Sequence, residues 1–457
     1  MDNRDLRNRN RTSSPNQERR TRPTNERHTR PPEDDTPPRR RMTREQRRQA
    51  YLRRRRKAYF FRGVFVASIL LILLIFWLLI SSLFKAFTNN DAEETLETDI
   101  ITTEETESFE ELIESNTVSF LAVGDNIGHE RVFTYADENS GTTDDGEYDF
   151  LPSYTYMADY IADADLSFIN QETIIGGDEL GIYGYPAFNS PEQWASDLTT
   201  LGFDIVNASS NHSLDMGIDA LENSLEIWSQ YDEVLYAGVY DSEEDASTIR
   251  TIERNGITFS VISYTYSTNG YDIPNDYCIN LFDEESIRED VAAAKEVSDV
   301  VIVSAHWGDE SIYELNSLQT EYAQLFADLE VDLVIGTHPH VIQSLEWITG
   351  ENGNETLVAY SLGNFLSTME TVDTQLEGML TLDFVKNDDG SVSIENVEWT
   401  ALINHFGDGT FTVMPLSEYT DELNAVHYVL AEECPNAIET FQEITDEIIG
   451  NEFTINY

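Results

Sequence analysis

Cysteine is nearly absent: 457 residues hold two, Cys278 and Cys434. That excludes a disulfide-framework mini-protein and a cysteine-rich zinc module; whether the two pair is left open by the sequence. Basic residues are scarce over most of the chain. Of 28 Lys and Arg, 21 lie in residues 1–62, and beyond them only Lys85, Arg131, Arg250, Arg254, Arg288, Lys295 and Lys386 remain. Those last 395 residues carry 77 of the 85 acids, a net charge of −70, whereas the first 62 carry +13. A surface of that sign repels phosphate backbones, so the main domain has no nucleic-acid partner. The apolar fraction of 40% is ample for a sizeable core and excludes global disorder. The length fits two to three domains, or one large domain with appendages.

One long uncharged apolar run is present, Gly63–Phe84. At 1.5 Å per residue a helix of that length spans about 33 Å, enough for a bilayer core. It is apolar on all faces and lies between segments of opposite charge, which argues against a buried globular helix. Arg53, Arg54, Arg55, Arg56, Lys57 and Arg62 precede it, and Lys85 alone stands just after it. The positive-inside rule places the N-terminus in the cytoplasm and the rest outside the cell membrane, a single-pass type II arrangement. Residues 1–62 read as a disordered basic tail, suited to setting topology or touching anionic lipid. Residues 85–117, with eleven acids and one Lys, read as an acidic stalk with a short helical stretch near Phe109–Ile113.

From residue 118 to 457 the texture is globular. Apolar runs at Val118–Val123, Leu166–Ile169, Ile205–Ala208, Ile257–Ile262, Val300–Ser304, Leu333–Ile335 and Thr356–Tyr360 predict buried strands. Helical patterns over Pro191–Thr200, Gly217–Tyr231, Ser286–Val297 and Ser317–Leu329 alternate with them, which predicts an α/β fold. Strands at Gly378–Val385, Ser391–Thr400 and Thr410–Pro415 come next, then helices over Ser417–Leu430 and Ala437–Ile449. No internal repeat is visible.

Strand C-terminal ends are where α/β enzymes place their chemistry. Here they read Gly124-Asp125-Asn126, Asn170-Gln171-Glu172, Ser209-Ser210-Asn211-His212, Ser304-Ala305-His306-Trp307-Gly308 and Gly336-Thr337-His338-Pro339-His340. Four of the eight histidines sit there. Imidazole, carboxylate and amide oxygen together are ligands for Zn, Mn or Fe. A His-x-His pair serves two adjacent ions from one loop, and a carboxylate between two cations offsets their repulsion. Two such ions about 3.5–4 Å apart clamp a phosphoryl oxygen and activate water. The segment Ser361-Leu362-Gly363-Asn364-Phe365 reads as a structural loop.

Together these segments resemble the capsule-synthesis CapA (PgsA) family, in order and spacing, over about residues 118–370. The resemblance also takes in Ala164-Asp165-Leu166, Gly202-Phe203-Asp204, Ser213-Leu214-Asp215-Met216-Gly217, Val341 and Tyr360. It implies a calcineurin-like metallophosphoesterase fold, an α/β/β/α sandwich, behind a single N-terminal transmembrane helix. It also implies a part in poly-γ-glutamate biosynthesis or export, with the polymer and membrane synthase or exporter proteins as partners. Carried over by motif, Asp125 binds a first divalent metal ion and Glu172 takes the bridging position usually held by Asp. Asn211, His306 and His338 bind a second ion, His340 binds the first, and His212 is the general acid. The superfamily's usual Asp-x-His is broken here, since Ile127 follows Asn126; His129 reaches the site only if its loop curls back.

A domain of net charge −70 repels a polyanion such as poly-γ-glutamate, by an amount that shrinks as salt screens it. Metal ions giving the cleft a local positive field, a high-salt habitat, or a different substrate each resolve this. Three functions therefore stand side by side: a metal-dependent, hydrolase-like member of the capsule machinery, an extracellular phosphoesterase on an unrelated substrate, and a non-catalytic scaffold for membrane partners.

Overall fold

The computed structural model describes residues 116–457 apart from 142, 144 and 145. The basic tail, the apolar run Gly63–Phe84 and the stalk up to residue 115 lie outside the described residues, among which no helix is long and apolar enough to cross a membrane.

Fifteen strands are formed among the described residues. They are β1 (Thr117–Asn126), β2 (Leu166–Asn170), β3 (Ile205–Asn207), β4 (Leu235–Ala237), β5 (Thr251–Arg254), β6 (Ile257–Thr265), β7 (Val300–His306) and β8 (Leu333–Thr337), followed by β9 (Leu345–Thr349), β10 (Glu355–Ala359), β11 (Asn364–Leu366), β12 (Leu376–Lys386), β13 (Val392–Gly407), β14 (Thr410–Pro415) and β15 (Thr454–Asn456). They make a mixed α/β fold with two sheets. The first runs β14-β13-β12-β1-β2-β3-β4, with β11 on β1 and β15 on β13; the second runs β5-β6-β7-β8-β10-β9. In each sheet a parallel half, β1 to β4 or β6-β7-β8-β10, is continued by antiparallel strands.

Side-chain alternation along the strands orders the layers. Phe120 and Ala122 of β1 join Phe168, Phe259, Ile302 and Ile335 in a core shared by both sheets. Leu121 and Val123 point the other way, toward Trp194 and Leu198 of the helix Gln193–Leu201 and Leu221 of Gly217–Trp228. On the second sheet, Val301 and Val303 meet Ile287 and Val291 of Glu284–Val297 and Phe326 of Ser317–Asp328. The order is helix, sheet, sheet, helix. Central strands buried on both faces read as unbroken apolar runs, which is why the sequence marks them so clearly.

Several elements differ from expectation. The predicted helix over Ser417–Leu430 is broken into a 3-10 turn at Leu416–Glu418 and short helices at Asp421–Asn424 and Leu430–Glu433. The second break has a local cause: Nδ1 of His427 accepts the backbone N–H groups of Val429 and Leu430, at 3.0 and 3.1 Å, which removes them from any helical ladder. The helix Glu130–Asn139 and strands β4, β5, β9, β11 and β15 carry no apolar run long enough to stand out. Cys278 is buried, Cys434 is half-buried, and both are free thiols.

Candidate metal centre

The C-terminal ends of β1, β2 and β3 in one sheet and of β7 and β8 in the other converge, and all seven predicted site residues meet there. Asp125 is the last but one residue of β1. Glycine at 124 lets it sit where it does: a Cβ there would lie 2.0 Å from the carbonyl oxygen of Gly363. That close approach allows β11 to wedge beside β1, with the Asp125 N–H donating to the Gly363 carbonyl at 2.9 Å. Oδ1 of Asp125 accepts Nδ2–H of Asn170 at 2.7 Å, and Asn207 donates in turn to Oδ1 of Asn170 at 2.7 Å. Register explains this amide ladder, since Asp125, Asn170 and Asn207 are neighbours across the three strands.

Glu172 follows β2 and is buried, as are His306, His338 and His340. His306 ends β7. Its Nε2 lies 3.0 Å from Oδ1 of Asn211 and its Nδ1 2.9 Å from Oγ1 of Thr337. His338 and His340 flank Pro339 in a turn with φ of 96° and 58°, the left-handed region that non-glycine residues seldom occupy. Such strain persists where surrounding contacts over-determine it. One of these contacts crosses between the sheets: the His338 N–H donates to Oδ2 of Asp125 at 3.1 Å.

His212 lies at the edge of the group. Its Nδ1–H donates to Oδ2 of Asp215 at 2.7 Å, and its Nε2 faces Oε1 of Glu172 at 3.9 Å. Phe188 packs edge-on against the ring at 4.7 Å, while its own N–H donates to the same Asp215 oxygen. The ring is thus fixed in plane and tautomer.

The electrostatics describe a cavity short of positive charge. Burial pushes the Glu172 carboxyl well above its ordinary value, and Asp125 and Glu310 push it further. Burial alone would lower His340, but Glu172 and Asp125 outweigh it and hold the imidazole up at about 9. Burial, and the neighbouring imidazoles, drive His306 and His338 far down, so both are neutral and able to ligate. Two buried atoms, Oε2 of Glu172 and Nδ1 of His338, have no hydrogen-bond partner. Orphaned buried acceptors are costly in a protein interior unless something else satisfies them.

A divalent cation fits. Ligand atoms of Asp125, Glu172 and His340 all lie within 4.8 Å of one another, and so do those of Glu172, His306 and His338. Glu172 is common to both groups. A third group joins Glu310, His338 and His340. His129 is in none of them: its Nδ1 accepts the Thr368 N–H at 3.1 Å and its ring packs on Phe188.

Residues 119–369, more than half of the chain, match the family described as "Bacterial capsule synthesis protein PGA_cap". The chain belongs to that family. It is 27% identical over 204 residues to the PGA biosynthesis protein CapA of Bacillus subtilis (strain 168), covering 44% of this chain and 52% of that one. It is 24% identical over 187 residues to the capsule biosynthesis protein CapA of Bacillus anthracis, covering 39% and 43%. The chain therefore spans about half the length of these curated relatives. Among solved structures it is similar to the NAD nucleotidase NadN of Haemophilus influenzae, at 12% identity and TM-score 0.40, covering 72% of this chain and 68% of that one. It is also similar to a 5'-nucleotidase of Candida albicans SC5314, at 11% and 0.36, covering 72% and 58%.

Several residues of the centre receive no role from the sequence. Asn170 and Asn207 orient Asp125, and Asp215 orients His212. Asn364, expected in a purely structural loop, lies in β11 with Oδ1 3.1 Å from Nδ1 of His340. Asn170 and Asn207 are the last residues of buried strands, Asn364 is the first of one, and Asp215 stands three residues beyond His212.

Proposed function

We propose that this protein is a membrane-anchored participant in bacterial poly-γ-glutamate capsule synthesis or export, with a metal-dependent, hydrolase-like site in its extracellular domain. One observation carries the site: buried Glu172 belongs at once to the Asp125–His340 group and to the His306–His338 group, as a carboxylate between two cations must. Membership of the capsule synthesis family supports the biological role. The charge step around Gly63–Phe84 supports the anchor and its orientation.

Asp125, Glu172 and His340 would hold one ion, and Glu172, Asn211, His306 and His338 the other. Bound divalent ions would polarise a phosphoryl or acyl oxygen and activate water. The chain supplies the rest. The amide ladder keeps Asp125 aimed inward, and the strained His338–His340 turn presents two imidazoles from one loop. His212, its Nδ1–H held by Asp215, would act in its imidazolium form, passing the Nε2 proton to the leaving atom of a phosphoester or amide-like centre and returning to the neutral ring. The synthase and exporter partners expected of such a protein meet it at the membrane.

The test compares full-length wild type with His338→Ala/His340→Ala. Metal content after dialysis, hydrolysis of a generic phosphodiester with Mn, and polymer output of cells carrying each form are measured. Metal lost from the variant together with hydrolysis and polymer supports the reading. Metal bound equally by both forms refutes the centre, and polymer output indifferent to the substitutions refutes the capsule role of the site.

A further inference from the structure

The loop after β7 carries a carboxylate to which the proposed two-ion centre gives no role. Glu310 lies four residues beyond His306 and is exposed. Its carboxylate and one imidazole nitrogen each of His338 and His340 lie within 4.8 Å of one another, the same mutual spacing as in the two groups built on Glu172.

This proximity is fixed by the backbone on either side. The Trp307 N–H donates to the Thr337 carbonyl at 3.1 Å, and the Ser311 N–H donates to the Pro339 carbonyl at 2.8 Å. The segment 307–311 is thereby tied to the turn that bears both histidines. Ser311 takes a φ of 60° to make its contact, and Gly308 one of 92°. Asp309, the other acid of the loop, is engaged elsewhere: its Oδ2 accepts Nδ2–H of Asn316 at 3.1 Å. A second observation points to a ligand at the same place. Nδ1 of His338, on a residue 2% exposed, has no hydrogen-bond partner.

The donor count has room for Glu310. Position 127, two residues after Asp125, is Ile and offers no ligand atom. The Asp125 group therefore holds three donors, whereas ions of this class take four to six. Charge argues the same way. Asp125 and Glu172 bring two negative charges against the four positive charges of two divalent ions, and His306, His338 and Asn211 bring none. We propose that Glu310 is a carboxylate ligand of the metal centre, supplied from its solvent-exposed side. This rests on the metal reading of the site under the proposed function.

The experiment uses the full-length chain in detergent and Mn(II) alone as probe. Free Mn(II) is followed by electron paramagnetic resonance during titration, and bound metal is counted by mass spectrometry after dialysis. Wild type, Glu310→Gln, Asp309→Asn and His340→Ala are compared, with circular dichroism to show that each is folded. We expect Glu310→Gln to weaken Mn(II) binding on the order of tenfold or more, while Asp309→Asn stays near wild type and His340→Ala loses metal. If His340→Ala loses metal but Glu310→Gln does not, the Glu310 assignment is wrong and the centre stands. Equal weakening by Glu310→Gln and Asp309→Asn indicates a general field effect and also overturns it. If His340→Ala binds Mn(II) as wild type does, the centre itself falls, and this assignment with it.

Discussion

Asn170 donates its side-chain amide to Oδ1 of Asp125 at 2.7 Å, so a neutral residue holds the carboxylate at the head of the site. An amide can do this without setting a like charge against Asp125. Removing it by Asn170→Ala leaves Oδ1 of Asp125 without its donor, Oδ2 still accepting the His338 N–H, and takes from Asn207 one of its two acceptors. Metal affinity should then fall by roughly 10- to 100-fold, as it does when outer residues that orient ligands are lost. Asn170→Asp should be at least as damaging, because it sets a like charge against Asp125. Mn(II) titration of the three forms checks both, and unchanged affinity in Asn170→Ala would show that the ladder is incidental.

Gly124 makes a harsher prediction. A methyl at this position meets the Gly363 carbonyl oxygen at 2.0 Å, and neither backbone can yield without moving Asp125 or β11. Gly124→Ala should cost about 2–3 kcal/mol or more and lose metal as well. Chemical denaturation with parallel metal analysis measures the pair. A variant that is destabilised yet keeps its metal would mean the strand end tolerates the shift.

His212 and the metal ligands should separate by experiment. His212 is fixed by Asp215 at 2.7 Å and keeps a fringe of exposure, whereas Asp125, Glu172, Asn211, His306, His338 and His340 lie deeper. His212→Ala should therefore keep its metal while hydrolysis drops by about 100-fold or more, the usual scale for a lost proton donor. Asp215→Asn should fall in the same direction by a smaller factor. Loss of metal in His212→Ala would move this residue from proton donor to ligand.

Much of this centre is legible in the sequence because buried parallel strands announce themselves. Leu166–Ile169 and Val300–Ser304 are apolar runs that stop abruptly, and the polar residues just past each stop face the cleft. Glu172, Asn211, His306, His338 and His340 are found that way. Glu310 is not, because one exposed acid among 85 has no contrast against its background. It becomes visible only when the Ser311 to Pro339 hydrogen bond folds its loop back. Asn170 and Asn207 are hidden by being strand residues whose partners are a sheet register away. The three-residue strands β11 and β15 are too short to carry a period. The false helix over Ser417–Leu430 has the opposite cause: its apolar spacing is helical, but Tyr419 and Thr420 are extended and Thr420 caps a new start, and farther on His427 takes the N–H groups of Val429 and Leu430.

Two groups outside the centre, half-buried Asp332 and buried His405, should give the stability curve opposing slopes. Burial raises Asp332 from 3.8 to about 6, although its Oδ2 accepts the Val301 N–H at 2.7 Å. A carboxyl raised in the folded state favours folding most below about pH 4, and the advantage drains away as pH climbs through about 6; it is worth at most about 3 kcal/mol. Burial, then His427, lowers His405 from 6.5 to about 4, and its Nε2 has no partner. A lowered imidazole favours folding above about pH 6.5 and loses that contribution as pH falls toward about 4. Between about pH 4 and 6.5 the two trends partly cancel in the wild type. Asp332→Asn keeps an oxygen for Val301 and removes only the carboxyl slope, so its urea midpoint should gain on wild type at about pH 8 more than at about pH 4.5. His405→Gln should do the reverse, losing less than wild type on acidification. Parallel pH dependence in all three proteins would mean that neither group titrates with folding.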